Sequence, residues 1–446
     1  MRKLGPSPFV WLQFDEQGKL QTDNGDGPVQ QLNAALDLPG VTHIVVLSHG
    51  WKNDRPAAQK LYGTLWNNVC TALQAGGHDP ATMVVAGVLW PAKKYDADYD
   101  GAQAMAAEVQ AGALKAFDQS AAVSDLSDED FESGLAIARD FLGDDAASLI
   151  TAAHSAADDL SNETAARFFS VAREKFGYLD SEAGAEPSAE AALFEISARS
   201  QYEARMLLLK SASGWRSPID PVAGEINGLG DWVTSAAQGI RSGIVWMLNQ
   251  MTYYTMKKRA GTVGEGLART FADIVPARET RLHLVGHSFG GRLVTASAAA
   301  LTPPQNLSLH SVTLLQAAYS HYGMTAGRGP FAAALDGRVK GSFAITHTHN
   351  DLACTLAYPL ASRLSGDTTQ ALGDHKDPYG AMGANGPQAL EDAMITVCDP
   401  ATFALKPGIV NTVNADTFIQ KTDTRDAHNN VANERCGALV AAVLCS

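Results

Sequence analysis

The chain is short of cysteine, of positive charge and of long apolar runs, and each shortage narrows what it does. Its 446 residues include five cysteines, Cys70, Cys354, Cys398, Cys436 and Cys445. No two stand as C-x-x-C, which removes the zinc knuckle and the thioredoxin-type dithiol. An odd, scattered set fits a reducing compartment, although a Cys436–Cys445 or Cys398–Cys436 bridge stays open at this level. Lys and Arg total 34 against 48 Asp and Glu, a formal charge of −14. That balance lacks the basic footprint of non-specific nucleic-acid binding, so no nucleic-acid partner is expected. No uninterrupted run of about 18 apolar residues occurs, so neither a spanning helix nor stable membrane insertion is expected. The nearest approach, 240–256, is broken by Arg241, Ser242, Asn249 and Gln250. The opening Met1-Arg2-Lys3-Leu4-Gly5-Pro6 is followed by no apolar h-region. No conventional signal peptide is therefore expected; the cytoplasm is the expected location, with export by another route left open.

What is present is ordinary globular composition, 46% hydrophobic and 18% charged. The length suits two or three domains, or one large domain carrying an insertion. Residues 8–21 suggest two short strands around a Glu-Gln-Gly turn. Short β-branched apolar runs at 42–48, 82–89, 281–286, 311–317, 342–348 and 409–414 have the character of strands buried on both faces. A helical segment at 55–75, and others between the later runs, alternate with them. That alternation indicates βαβ units and a mostly parallel α/β sheet.

One long segment interrupts the alternation. Residues 96–200 hold 22 acidic and 6 basic side chains, a balance of −16, whereas the rest of the chain sits at +2. Apolar residues spaced as Phe131, Leu135, Ile137, Phe141 and Phe168, Phe169, Val171, Phe176 suggest amphipathic helices. A segment of this length is not a structureless loop in a compact domain. The expected organisation is a core over 1–95 and 231–446 with an acidic helical cap inserted at 96–230.

The most informative motif is Gly286-His287-Ser288-Phe289-Gly290. The apolar run LHLV precedes it and the helix-forming run RLVTASAAAL follows, giving a strand–turn–helix context. A nucleophile at the tip of such a turn needs strained backbone angles, and its neighbours two residues away must lack side chains for strand and helix to approach. The helix N-terminus then presents backbone N–H groups, Phe289 first, to a developing oxyanion. A second motif, Ser48-His49-Gly50-Trp51, ends the 42–48 run. Glycine there permits close backbone approach, and the Trp51 N–H is the candidate second oxyanion donor.

These two motifs, in this order, resemble those of the α/β-hydrolase superfamily, over about residues 8–95 and 230–446. Within it, Val88-Leu89-Trp90-Pro91, THIVVLSHGW and LHLVGHSFGGRL are similar to a group of bacterial α/β hydrolases with few assigned functions. The resemblance implies an α/β-hydrolase fold and the chain order nucleophile, acid, histidine. Asp351, just past the 342–348 run, is the expected acid; Asp374 and Asp377 are less well placed. The 311–317 run ends in Gln316-Ala317-Ala318 and offers no carboxylate. Two histidines follow Asp351, His375 and His428. His428, in the loop before the C-terminal helix, is the expected base, and His375 the runner-up. His49, Gly50, His287 and Trp90 are expected to line the substrate site, His287 beside the nucleophile.

Two metal-like patterns occur. His347 and His349 share a strand face and, with Asp351, mimic a ligand cluster. Asp96-x-Asp98-x-Asp100-Gly101 matches half of a calcium loop, but its twelfth position is Ala107. Serine chemistry needs neither, so no cofactor is expected. The expected function is a serine hydrolase cleaving a carboxylic ester, small or lipid-like, through an acyl-enzyme. The alternatives are a lipase- or thioesterase-type effector, or a module that binds a protein partner through the acidic insertion. The stretch Ile244–Leu248 with Tyr253 and Tyr254 suits either an apolar pocket or plain core.

Overall fold

A computed structural model of the chain describes residues 2–22, 27–51, 53–92, 128–142, 146–159, 161–176, 240–351, 353–354, 380–423 and 425–446. The described strands are β1 (Arg2–Leu4), β2 (Ser7–Gln13), β3 (His43–Ser48), β4 (Met83–Leu89), β5 (Thr280–His287), β6 (Leu307–Leu315), β7 (Phe343–His347), β8 (Ile395–Cys398) and β9 (Val410–Asn414), the six apolar runs supplying β3 to β7 and β9. They form one sheet in the order β1-β2-β4-β3-β5-β6-β7-β9-β8. Every pairing is parallel except the β1–β2 hairpin.

Side chains alternate across this sheet and feed two cores. Ile44 and Val46 face one, with α1 (Pro28–Leu36) and α7 (Phe289–Ala300). Val45 and Leu47 face the other, with α2 (Arg55–Ala75) and α9 (Glu434–Leu444). Burial on both sides explains why these strands read as unbroken apolar runs rather than as alternation. Local signals set the helix ends. The Asp54 carboxylate accepts from Ala57 N–H and the Asn433 side chain from Cys436 N–H, each satisfying an otherwise orphaned donor of a first turn.

A third core is helical. It joins α3 (Asp128–Leu142), α4 (Ala146–Asp158) and α5 (Asn162–Phe176) to the first turns of α6 (Ile240–Ala272). Phe131, Leu135, Leu149, Ile150, Phe168 and Phe169 meet Ile244, Val245 and Leu248 there. The later turns of α6 carry Met256, Val263, Leu267 and Phe271 into the sheet core. At 33 residues this one helix is about 50 Å long and belongs to both cores.

Several expectations change in detail. Residues 8–21 hold one strand, β2, with only a Phe14–Leu20 bridge after it, and its hairpin partner is the earlier β1. Ile244, Val245 and Leu248 are core, not pocket lining. All five cysteines are free, so neither of the two bridges left open by the sequence forms. Among the described residues no helix is long and apolar enough to cross a membrane. Asp96, Asp98, Asp100, Asp374, His375 and Asp377 lie outside the described residues.

Candidate active site

In a parallel sheet all strands end on one edge, and residues just past those ends are brought together. His49 and Gly50 follow β3, Ser288 follows β5, Asp351 follows β7, and His428 lies beyond β9. β3, β5 and β6 are adjacent at the centre of the sheet.

Ser288 is the turn between β5 and α7. Its backbone has φ 58° and ψ −126°, a conformation that L side chains rarely adopt. The turn closes only because its glycines lack side chains. A Cβ at Gly286 would stand 2.3 Å from Gly290 O, and one at Gly290 2.4 Å from Ser48 O. Backbone bonds hold the tip: Ser288 N–H donates to Leu315 O at 3.2 Å, and Ser288 O accepts from Gly291 N–H at 2.9 Å and Ala318 N–H at 3.1 Å.

The three sequence-derived residues meet. Ser288 Oγ lies 2.8 Å from His428 Nε2, and His428 Nδ1 lies 2.7 Å from Asp351 Oδ2. A carboxylate only accepts, so Nδ1 carries the proton and Nε2 is left to accept from the serine hydroxyl. Asp351 is fully buried, and two further donors satisfy it: Gln316 Nε2–H to Oδ2 at 3.0 Å and Cys354 N–H to Oδ1 at 3.1 Å. Burial alone would raise its pKa. The positive charge and hydrogen bond that His428 supplies, with the bonds from Gln316 and Cys354, overcome this and hold it below the usual carboxylate value. Burial likewise pulls His428 down, but the charge and hydrogen bond of Asp351 prevail and its pKa stands above the ordinary 6.5.

Two residues emerge that were not assigned these parts. His287 Nε2–H donates to the backbone carbonyl of His428 at 2.8 Å. Burial, then the neighbouring His428 charge, pushes its pKa down to about 3, so it is a neutral brace. It is buried and its ring packs against that of His428, at 4.9 Å between centroids. Gln316, with φ 49°, occupies the strand end that holds no carboxylate. Its amide bridges Asp351 to Gly383 O at 2.9 Å, and its own oxygen accepts from Thr346 Oγ1–H at 3.0 Å. The available signal was the position itself, a polar residue at the end of a buried β6.

The His49-Gly50-Trp51 turn lies against the serine. A Cβ at Gly50 would be 2.6 Å from Ser288 Cβ and 3.1 Å from its Oγ. The Trp51 and Phe289 rings, each next to a candidate oxyanion donor, are 6.1 Å apart. Expected substrate contacts at His49 and Trp90 give way to support. Both are buried, their rings stack at 5.6 Å, and Trp90 Nε1–H donates to His49 O at 3.0 Å. His49 N–H donates to Tyr62 Oη at 2.8 Å, and its Nδ1–H to Gly50 O at 2.8 Å, fixing the turn. Burial lowers the His49 pKa to about 4, so it too is neutral.

Among the described residues, His347 and His349 do not assemble a metal cluster with Asp351. The one group with ligand-like spacing there is Asp351, Cys354 and His428. No protein-family model, curated protein or solved structure matches this chain.

Proposed function

We propose that the protein is a serine hydrolase that cleaves carboxylic esters through an acyl-enzyme, on an α/β-hydrolase fold. The observation that carries this reading is the continuous line Ser288 Oγ, His428 Nε2, His428 Nδ1, Asp351 Oδ2, with contacts of 2.8 and 2.7 Å at its two joints. Supporting it are the strained serine at the central strand end and the glycine turn pressed against it.

Ser288 Oγ attacks the ester carbonyl as its proton passes to His428 Nε2. Asp351 holds the imidazole tautomer and stabilises the imidazolium. The N–H groups of Phe289, at the first position of α7, and of Trp51 receive the oxyanion. The imidazolium then protonates the leaving alcohol. Water, deprotonated by the same Nε2, attacks the acyl carbon and releases the acid and Ser288. Carboxylic esters are favoured because an alcohol departs more readily than an amide nitrogen. The residues in this scheme need no metal or organic cofactor.

The test is intact-mass labelling with a fluorophosphonate. One adduct on the wild type, absent from Ser288→Ala and His428→Ala, is the expected result, followed by turnover of p-nitrophenyl esters. A folded wild type that stays unlabelled and turns over no ester of the series overturns the reading.

A further inference from the structure

The thiol of Cys354 takes no step in that mechanism, yet it stands beside the two residues that make the base. Its Sγ is 3.9 Å from His428 Nδ1, on the side of the imidazole away from Ser288. Its own N–H fixes Asp351 Oδ1. Asp351, Cys354 and His428 each offer one ligand atom, and these atoms all lie within 4.8 Å of one another. A tetrahedral zinc ion, with Zn–S of about 2.3 Å and Zn–N and Zn–O of about 2.0 Å, needs donors roughly 3.3–3.6 Å apart. To reach that spacing the Sγ–Nδ1 distance of 3.9 Å must close and the Nδ1–Oδ2 distance of 2.7 Å must open.

We propose that Asp351, Cys354 and His428 form an inhibitory site for a thiophilic divalent cation, of which zinc is the representative. The inhibition rests on the hydrolase reading above; the binding does not. Charge favours it. A dipositive ion, one thiolate and one carboxylate sum to zero beside a neutral imidazole, the condition for a buried ionic centre. The thiol releases its proton to solvent. His428 Nδ1 gives up its proton and coordinates through its lone pair. The neutral imidazole then carries its single proton on Nε2, the atom that faces Ser288 Oγ. An Nε2–H cannot accept the serine proton, and Asp351 is taken from its place behind the ring. The cation thus switches off the base from the rear, without entering the substrate space.

The bland alternative is that Cys354 is small apolar filling, as buried free cysteines commonly are. The two are separated by titrating zinc chloride against p-nitrophenyl ester turnover by the wild type and by Cys354→Ser and Cys354→Ala, each checked for native circular dichroism. Cys445→Ser serves as the control for the exposed thiol. The expected wild-type result is slow loss of turnover, reversed by EDTA. Either Cys354 variant should raise the half-inhibitory zinc concentration by at least about tenfold, the lower end of what even an outer partner contributes to a metal site. Cobalt(II) provides the readout that needs no catalysis. A thiolate-to-cobalt charge-transfer band is expected in the wild type, in Ser288→Ala and in Cys445→Ser, and is lost in both Cys354 variants. If the band appears but no ester is cleaved, the metal site stands and the hydrolase reading falls. Equal zinc sensitivity in wild type and Cys354 variants, or no band in the wild type, overturns the proposal.

Discussion

The imidazole that precedes Ser288 holds the imidazole that faces it: His287 Nε2–H donates to the carbonyl of His428, with the ring centroids 4.9 Å apart. The loop carrying His428 is thereby tied to the end of β5, the strand that leads into Ser288. In His287→Phe the ring volume stays and the tie goes. The partly buried carbonyl loses its partner, at a cost of about 1 kcal/mol in stability. For the ester reaction we expect kcat to fall by about tenfold, equivalent to 1.4 kcal/mol of barrier, with KM little changed. His287→Gln restores a donor and should recover part of kcat. Steady-state kinetics of the two variants decide this; a matched fall in both would assign His287 to packing alone.

Gln316 is the neutral neighbour that lets Asp351 stay ionised. Converting it with Gln316→Glu sets a second carboxylate within hydrogen-bond reach of the first, and like charges at that distance disfavour joint ionisation. The extra negative charge also favours protonated His428. Its pKa already stands above 6.5, so kcat/KM of the wild type should rise with pH along a limb above that value. In Gln316→Glu the limb should move to higher pH and turnover at neutral pH should drop. A pH–rate profile that superimposes on the wild type would remove Gln316 from this role.

Gly50→Ala tests the turn that faces the serine. The added methyl lies 2.6 Å from Ser288 Cβ, so either the turn or the serine must shift. Overpacking of this kind costs about 1–3 kcal/mol. The larger effect should be chemical, a loss on the order of a hundredfold in kcat, as for removal of an oxyanion donor. Fluorophosphonate labelling rates report it directly, and wild-type labelling by Gly50→Ala would separate the turn from catalysis.

Stability should fall on acidification. Burial lowers His43 and His49 to about 4 and His287 to about 3, and it lowers His283, His310 and His347 as well. An unfolded histidine takes up its proton near 6.5, whereas these take theirs only at lower pH. The unfolded chain therefore binds more protons between those values, and folding free energy is lost progressively as pH drops below about 6.5. His428 acts with the opposite sign. Its contribution is complete below 6.5 and fades as pH rises through its elevated pKa. Six lowered groups outweigh one raised group. The urea midpoint at about pH 5 should therefore lie well below that at about pH 7.5, and a flat response would contradict the burial of these rings.

The parts of this site legible in the sequence were local ones. Gly286 to Gly290 announces the turn in five residues, because sterics alone demand side-chain-free residues two positions either side of the serine. Asp351 and His428 follow from the chain order that the α/β-hydrolase resemblance implies, joined to a carboxylate after a buried strand and a histidine before the last helix. The braces were not legible. His287 acts through a carbonyl 141 residues away, and Gln316 through a carboxylate 35 residues away, so no spacing reveals either. Fold details went the same way. The β8 strand is four residues at a sheet edge with Val397 82% exposed, so it has no buried run to show. The central strands, covered on both faces, announced themselves.

The α6 helix bears on how this architecture can be cut and rejoined. Its first turns are fixed in the helical core and its later turns in the sheet core, along one hydrogen-bonded ladder. A seam placed anywhere inside it would open the ladder and strand about four donors on one side and four acceptors on the other. The helical layer is therefore not a detachable cassette. Grafting it onto another sheet, or another layer onto this one, means carrying the whole of α6 across as a splint.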